Sequence, residues 1–295
     1  MDHQRRLWIC LGTGLAATLL WQFPIILPLK LLVVLVHETW HGFAALSSGA
    51  LLSQMDITLD EWGETMVTGL TSTTGFVWTV SAGYLGSALT GAVLLNRGLA
   101  GRNVRLTLIA FSMLLGYMTY LFTAPGSTAF FTGLGWAAVL LLVCGGGEMI
   151  GEVCLVALGT LFAWYCVFDL FDFTRDVLQT DAGILARYIV ASEWPVLGAW
   201  PVGTLAVLAS IFWVAVMLTV LGLSVRHAML DRLPGPPVAA EPEPEPTFPG
   251  EVTPEVQDWL LKNGFGLDGR PLPLELVDSP YARLTPGEVG PHEDS

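Results

Sequence analysis

The chain has 295 residues, 53% of them hydrophobic and only 13% charged, a balance that excludes an ordinary soluble domain. Its formal net charge of −13 is unevenly spread: residues 229–295 hold 13 acids against 4 bases, while the rest of the chain holds 13 against 9. The acidity therefore belongs mostly to the tail, and no basic surface suited to nucleic acid is indicated.

The hydropathy pattern predicts an all-α polytopic membrane protein, integral to the bilayer and in contact with its lipids, with about six to seven transmembrane helices over residues 1–228. A small membrane-associated β-hairpin interrupts the helices, and an acidic, Pro-rich, disordered tail follows over 229–295. Arg5 and Arg6 precede a long apolar run, Leu7 to Phe23, that lacks a convincing small-residue cleavage site and reads as an anchor that stays. Pro24 and Pro28 mark the turn into the second span, where a proline in the first helical turn removes an N–H that has no partner anyway.

That second span is the most informative stretch, because it carries His37, Glu38 and His41 inside the apolar sequence L-K-L-L-V-V-L-V-H-E-T-W-H-G-F-A-A-L. A charged side chain at the middle of a membrane helix costs about 2.5 to 3.5 kcal/mol on insertion scales, so such groups persist where they have a partner and a task. Histidines four apart lie on one helical face and can grip one metal ion, with the intervening glutamate beside the open coordination position. Two merely packed histidines would explain either ring alone, but not all three groups at this spacing.

Residues 50–74 change character, with acids at Asp56, Asp60, Glu61 and Glu64 and an alternating run from Met66 to Thr73. This predicts short strands turning near Glu61 to Gly63, at or dipping into the membrane surface where the motif helix ends. The third span, Phe76 to Leu95, repeats small residues at Gly83, Ser87 and Gly91, a smooth stripe against which the motif helix is expected to pack. Further spans are expected near Val104 to Phe122, Ser127 to Val143, Glu148 to Phe171 and Val202 to Val225. Glu148 and Glu152, at the start of the sixth, read as acids favoured by the helix dipole near the headgroups. Counting the first run gives seven spans with termini on opposite faces, and the arginines fall on both sides without fixing the orientation.

A zinc held by two histidines takes a third protein ligand, usually a carboxylate when neither cysteine nor a third histidine is near. The remaining histidines, His3, His227 and His292, lie toward the chain ends. The four cysteines, Cys10, Cys144, Cys154 and Cys166, are scattered without metal or disulfide spacing and read as packing residues. An aspartate from the cluster Asp169, Asp172, Asp176 and Asp181 is the better source. Asp181 is preferred because it opens a weakly amphipathic segment that can tuck against the core, with Asp172 and Asp169 as alternatives.

In the tail, the proline-acid repeat after Leu233 is a semi-rigid spacer, and one short helix is expected over 253–263. The tail's partner is not indicated.

Taken together, H-E-T-W-H in an early span, a polar hairpin, a G-Y-L-G-S span and the late F-D-L-F-D and T-D-A elements resemble the site-2 protease family of intramembrane zinc metalloproteases. The likeness covers about residues 25–225 and points to a compact, divergent branch with no room for a PDZ domain between its elements. It implies that His37, His41 and Asp181 bind zinc, that Glu38 is the catalytic base, and that a membrane protein is the substrate of regulated intramembrane proteolysis. Two elements depart from the family pattern. The one Leu-Asp-Gly triplet, Leu267 to Gly269, lies in the polar tail, and Gly83 to Ser87 stands where the family carries a Gly-Pro-Leu-x-Asn-like element. Two other readings remain: an inactive scaffold or chaperone of the same fold, which would show no turnover, and a proton- or metal-linked transporter, which would show flux without peptide product.

Overall fold

The computed structural model describes residues 3–192, 194–230, 253–267 and 270–271, apart from the side chains of His3, 166–176 and 229–230. The alternatives Asp169 and Asp172, the proline-acid repeat and the tail residues Asp268 and Gly269 therefore lie outside the described side chains or residues.

The chain separates into two units, Met1–Leu233 and Pro234–Ser295. In the first, α1 (His3–Leu20) leads through a 3-10 turn at Pro24–Ile26 into α2 (Leu27–Ser47). The hairpin β1 (Leu51–Ile57) and β2 (Gly63–Thr68) follows. After it come α3 (Thr73–Ala100), α4 (Val104–Phe122), α5 (Thr128–Gly145), α6 (Glu148–Asp176), α7 (Asp181–Ala191) and α8 (Val202–Leu230). Among the described residues, six helical segments are long and apolar enough to cross a membrane: Pro24–Ser47, Thr73–Ala100, Val104–Phe122, Thr128–Gly145, Glu148–Tyr165 and Val202–Ala228. The protein is an integral, multi-pass membrane protein.

These six agree with the expected six to seven spans, and of the seven apolar runs read in the sequence the first is the one not among them. Helix α1 begins with the polar run His3 to Arg6, which lowers its mean hydropathy, and it is not one of the six. It packs along α6, where Trp164 Nε1 donates to Thr18 Oγ1 at 2.8 Å, and is anchored at its start by Arg6, whose guanidinium binds Glu152 of α6 at 2.7 and 3.0 Å and donates to the Leu99 carbonyl of α3 at 2.9 Å. Glu152 is accordingly a buried ion-pair partner rather than a headgroup-level acid. A buried charge is tolerated when its lone pairs and protons are met in this way.

Local chemistry sets the helix ends. Ser72 caps α3 by accepting from the Gly75 N–H at 3.0 Å, and Ser127 caps α5 by accepting from Phe130 at 3.1 Å. Gly101, in the left-handed region at φ 62°, closes α3. The centre of the bundle is α2 and α3, buried over 72% and 67% of their spanning windows against 22% for α5, whose Phe131 and Leu142 face outward.

The small-residue stripe divides between two partners. Gly83 meets the histidines of α2, but Gly91 meets Phe162 of α6. Helix α2 runs instead along Gly83, Gly86 and Thr90. A Cβ on Gly86 would collide with the Trp40 ring, and Trp40 Nε1 donates to Thr90 Oγ1 at 2.9 Å.

The hairpin is antiparallel, pairing Met55 with Thr65 and Ile57 with Gly63, with a bulge between Leu52 and Gln54. It starts past the C-terminal end of α2 and runs back along it. Leu52 and Met55 lie over Gly42, Thr65 reaches Glu38, and Glu61 at the tip pairs with Lys30 at 2.8 Å. It therefore descends alongside most of the span instead of lying at its end. Buried Leu52 and Met55 form a cluster with Met118, which covers the inner face of β1.

The second unit holds α9 (Pro254–Lys262), preceded by Thr253 and ended by Gly264 at φ 80°.

Candidate metal centre

His37 and His41 project from one face of α2 because they stand one turn apart. Asp181 is the first residue of α7, a short helix whose Ala182, Gly183, Leu185 and Ala186 are buried. Their polar atoms converge. His37 Nε2 lies 3.0 Å from His41 Nε2, and Asp181 Oδ2 lies 3.0 Å from the first and 3.1 Å from the second.

Each ring is set by its surroundings. His41 Nδ1 is 2.7 Å from the Thr79 carbonyl of α3, so that nitrogen carries the proton and donates, and Nε2 presents a lone pair to the centre. The His37 ring stands edge-on to Tyr84 at 4.6 Å between centroids, and Tyr84 in turn stacks on Trp213 of α8 at 5.4 Å. Gly83 backs both rings, and a Cβ there would strike both Nε2 atoms.

The centre is thus two imidazole nitrogens and a carboxylate oxygen, all acceptors, aimed at one point. A single proton can bridge only one pair of them at a time. A divalent cation satisfies all three, and tetrahedral zinc, with ligands at about 2.0 to 2.1 Å, sets its ligand atoms roughly 3.3 Å apart. The donor set and spacing fit zinc.

Glu38 also approaches the histidines, with candidate ligand atoms of His37, Glu38 and His41 all within 4.8 Å of one another. It is held otherwise. Thr65 Oγ1 of β2 donates to Glu38 Oε2 at 2.6 Å, and Gly63, where any Cβ would collide with the carboxylate, makes room for Oε1. The shorter contacts to both histidines belong to Asp181, so Glu38 stands beside the centre rather than in it.

The family model for Peptidase M50B-like proteins matches residues 10–224. The chain belongs to this family. No curated protein and no solved structure matches it. M50 peptidases are in general zinc metalloproteases, and M50B membership agrees with the site-2 protease resemblance seen in the sequence. In this M50B-like chain a cleft of about 660 Å³ opens beside the centre, lined by Glu38, His41 and Asp181, by Gly63 and Thr65 of β2, and by Phe76 of α3.

Several of the supporting residues have no mark in the sequence. Thr65 and Gly63 sit in a run that reads only as strand, and Thr79 contributes a backbone carbonyl that any residue would supply. Tyr84 was visible only as part of the G-Y-L-G-S element.

Proposed function

We propose that the protein is an intramembrane zinc metalloendopeptidase that hydrolyses peptide bonds of membrane-embedded substrates. His37, His41 and Asp181 would hold the zinc. When bound, zinc supplies a water acidified toward a pKa of about 7 and a Lewis acid for the peptide carbonyl.

The protein's own groups do the rest. Glu38 takes the water's proton at Oε1, because Oε2 is already occupied by Thr65, and returns it to the leaving amine. The Thr65 hydrogen bond keeps the carboxylate from swinging into the cluster of ligands. A helical substrate has its carbonyls sequestered and must unwind to be cut. Strand β2 lines the cleft and pairs with β1, leaving its other edge to hydrogen-bond an extended substrate backbone.

The observation that carries this reading is the convergence of two imidazole nitrogens and one carboxylate oxygen within 3.0 to 3.1 Å, with a second carboxylate held apart beside them. The test is cleavage of a single-span peptide, weakened by glycine and proline, in proteoliposomes. Glu38→Gln is expected to abolish product while keeping zinc; undiminished cleavage by that variant would overturn the role of Glu38. Zinc binding without turnover of any such peptide by the unaltered protein would favour a scaffold.

A further inference from the structure

Helices α3 and α8 run parallel, since Tyr84 meets Trp213 and, further along both, Ser224 Oγ donates to the Ala92 carbonyl at 2.7 Å. Asn96 Nδ2 donates in turn to the Ser224 carbonyl at 2.9 Å. Their C-terminal ends therefore reach the same membrane face, and a cleft of about 590 Å³ opens between them.

The cleft is ordered along the membrane normal. Deep in the span its walls are Leu89, Val93 and Leu223, all exposed, and at its mouth stand Arg97, Arg102 and His227. Leu89, Val93 and Arg97 follow one another every fourth residue, so they form one ridge of α3. Arg97 is half-buried, and its guanidinium makes no hydrogen bond or ion pair with any described residue. It does not serve to cap α3. The Gly98 and Arg97 carbonyls already accept from the backbone N–H groups of Gly101 and Arg102, each at 3.3 Å.

A cation in that position, with hydrocarbon below it, wants an anion that carries a hydrocarbon chain. We propose that this cleft binds one anionic phospholipid, its phosphate at Arg97 and an acyl chain along Leu89, Val93 and Leu223. This site is separate from the histidine cluster, and the proposal does not depend on peptidase activity.

The test uses the full chain in nanodiscs of mixed phosphatidylcholine and phosphatidylglycerol, released into detergent and weighed by native mass spectrometry. At least one phosphatidylglycerol should be retained in several-fold preference over phosphatidylcholine. Arg97→Gln should lower that retention by about fivefold, Arg97→Lys should restore part of it, and Lys262→Gln in the tail should leave it unchanged. Equal retention of the two lipids, or no change in Arg97→Gln, would overturn the proposal. In a second arm, phenylglyoxal modification of Arg97 should be slowed by phosphatidylglycerol nanodiscs and not by inorganic phosphate. Equal protection by phosphate would assign the site to a free anion and also overturn it.

Discussion

The Thr65 hydroxyl sits 2.6 Å from Glu38 Oε2 and 3.1 Å from the carbonyl oxygen of the same residue, so one strand residue fixes both the side chain and the backbone of the acid in the motif helix. The hairpin is thereby tied to the proposed base and does more than wall the cleft. A hydrogen bond to a charged group contributes about 1.5 to 3 kcal/mol. Thr65→Val is expected to lower kcat by about tenfold or more, with KM and zinc content little changed. Thr65→Ser, which keeps the hydroxyl, should recover most of the rate. A Thr65→Val enzyme with full kcat would show that Glu38 needs no such tether.

Gly83 offers a test of the centre from behind. Any Cβ at this position would strike Nε2 of both His37 and His41, whereas nothing lies within 4 Å of a Cβ at Gly135. Gly83→Ala should therefore lose zinc and activity together, as read by elemental analysis of purified protein and by peptide cleavage. Gly135→Ala should lose neither. Full zinc in Gly83→Ala would mean that α2 and α3 can separate without disturbing the rings.

Removing the carboxylate of α7 should separate binding from catalysis. Asp181→Asn keeps the size of the side chain but weakens a ligand, and its affinity for zinc should fall by about a hundredfold in a chelator competition. Glu38→Gln in the same competition should bind as the unaltered protein does. If the two variants exchanged these behaviours, the ligand and the base would have to be reassigned.

The far end of the hairpin is held by Lys30, whose ammonium pairs with Glu61 at 2.8 Å and lies 4.8 Å from the centre of the Trp21 ring. Glu61 is partly exposed, so the pair contributes about 1 kcal/mol or less to stability. Its larger effect should be on the placement of β2. Lys30→Met is expected to raise KM for the peptide substrate more than it lowers kcat. The exchange Lys30→Glu with Glu61→Lys should return KM toward its original value. A KM unchanged in Lys30→Met would show that the tip does not steer the strand.

What the sequence makes legible follows from short-range geometry. His37, Glu38 and His41 are read because helical spacing alone places them, and the hairpin because acids and alternation interrupt an apolar chain. Asp181 could be picked out because a carboxylate at the head of a short amphipathic helix is conspicuous, although nothing local ties it to residues 144 positions earlier. The contacts that hold the site are long-range and involve ordinary residues: Thr65 on Glu38, the Thr79 carbonyl on His41, and Tyr84 between His37 and Trp213. The small-residue repeat of α3 predicted a close partner correctly but not that two helices share it, because a stripe has no label for its neighbour. The pairing of Arg6 with Glu152 was hidden for the same reason, and it turned an expected interfacial acid into a buried one.

The central claim is that two imidazoles and one carboxylate within a membrane protein hold a single zinc ion. Zinc K-edge X-ray absorption on the purified protein, beside elemental analysis of the Asp181→Ala variant, addresses it most directly. The account predicts about one zinc per chain, a first shell of two imidazole nitrogens with oxygen and no sulfur, and loss of the metal in Asp181→Ala. Zinc absent from the unaltered protein, a shell containing sulfur, or a full complement of zinc in Asp181→Ala would contradict it.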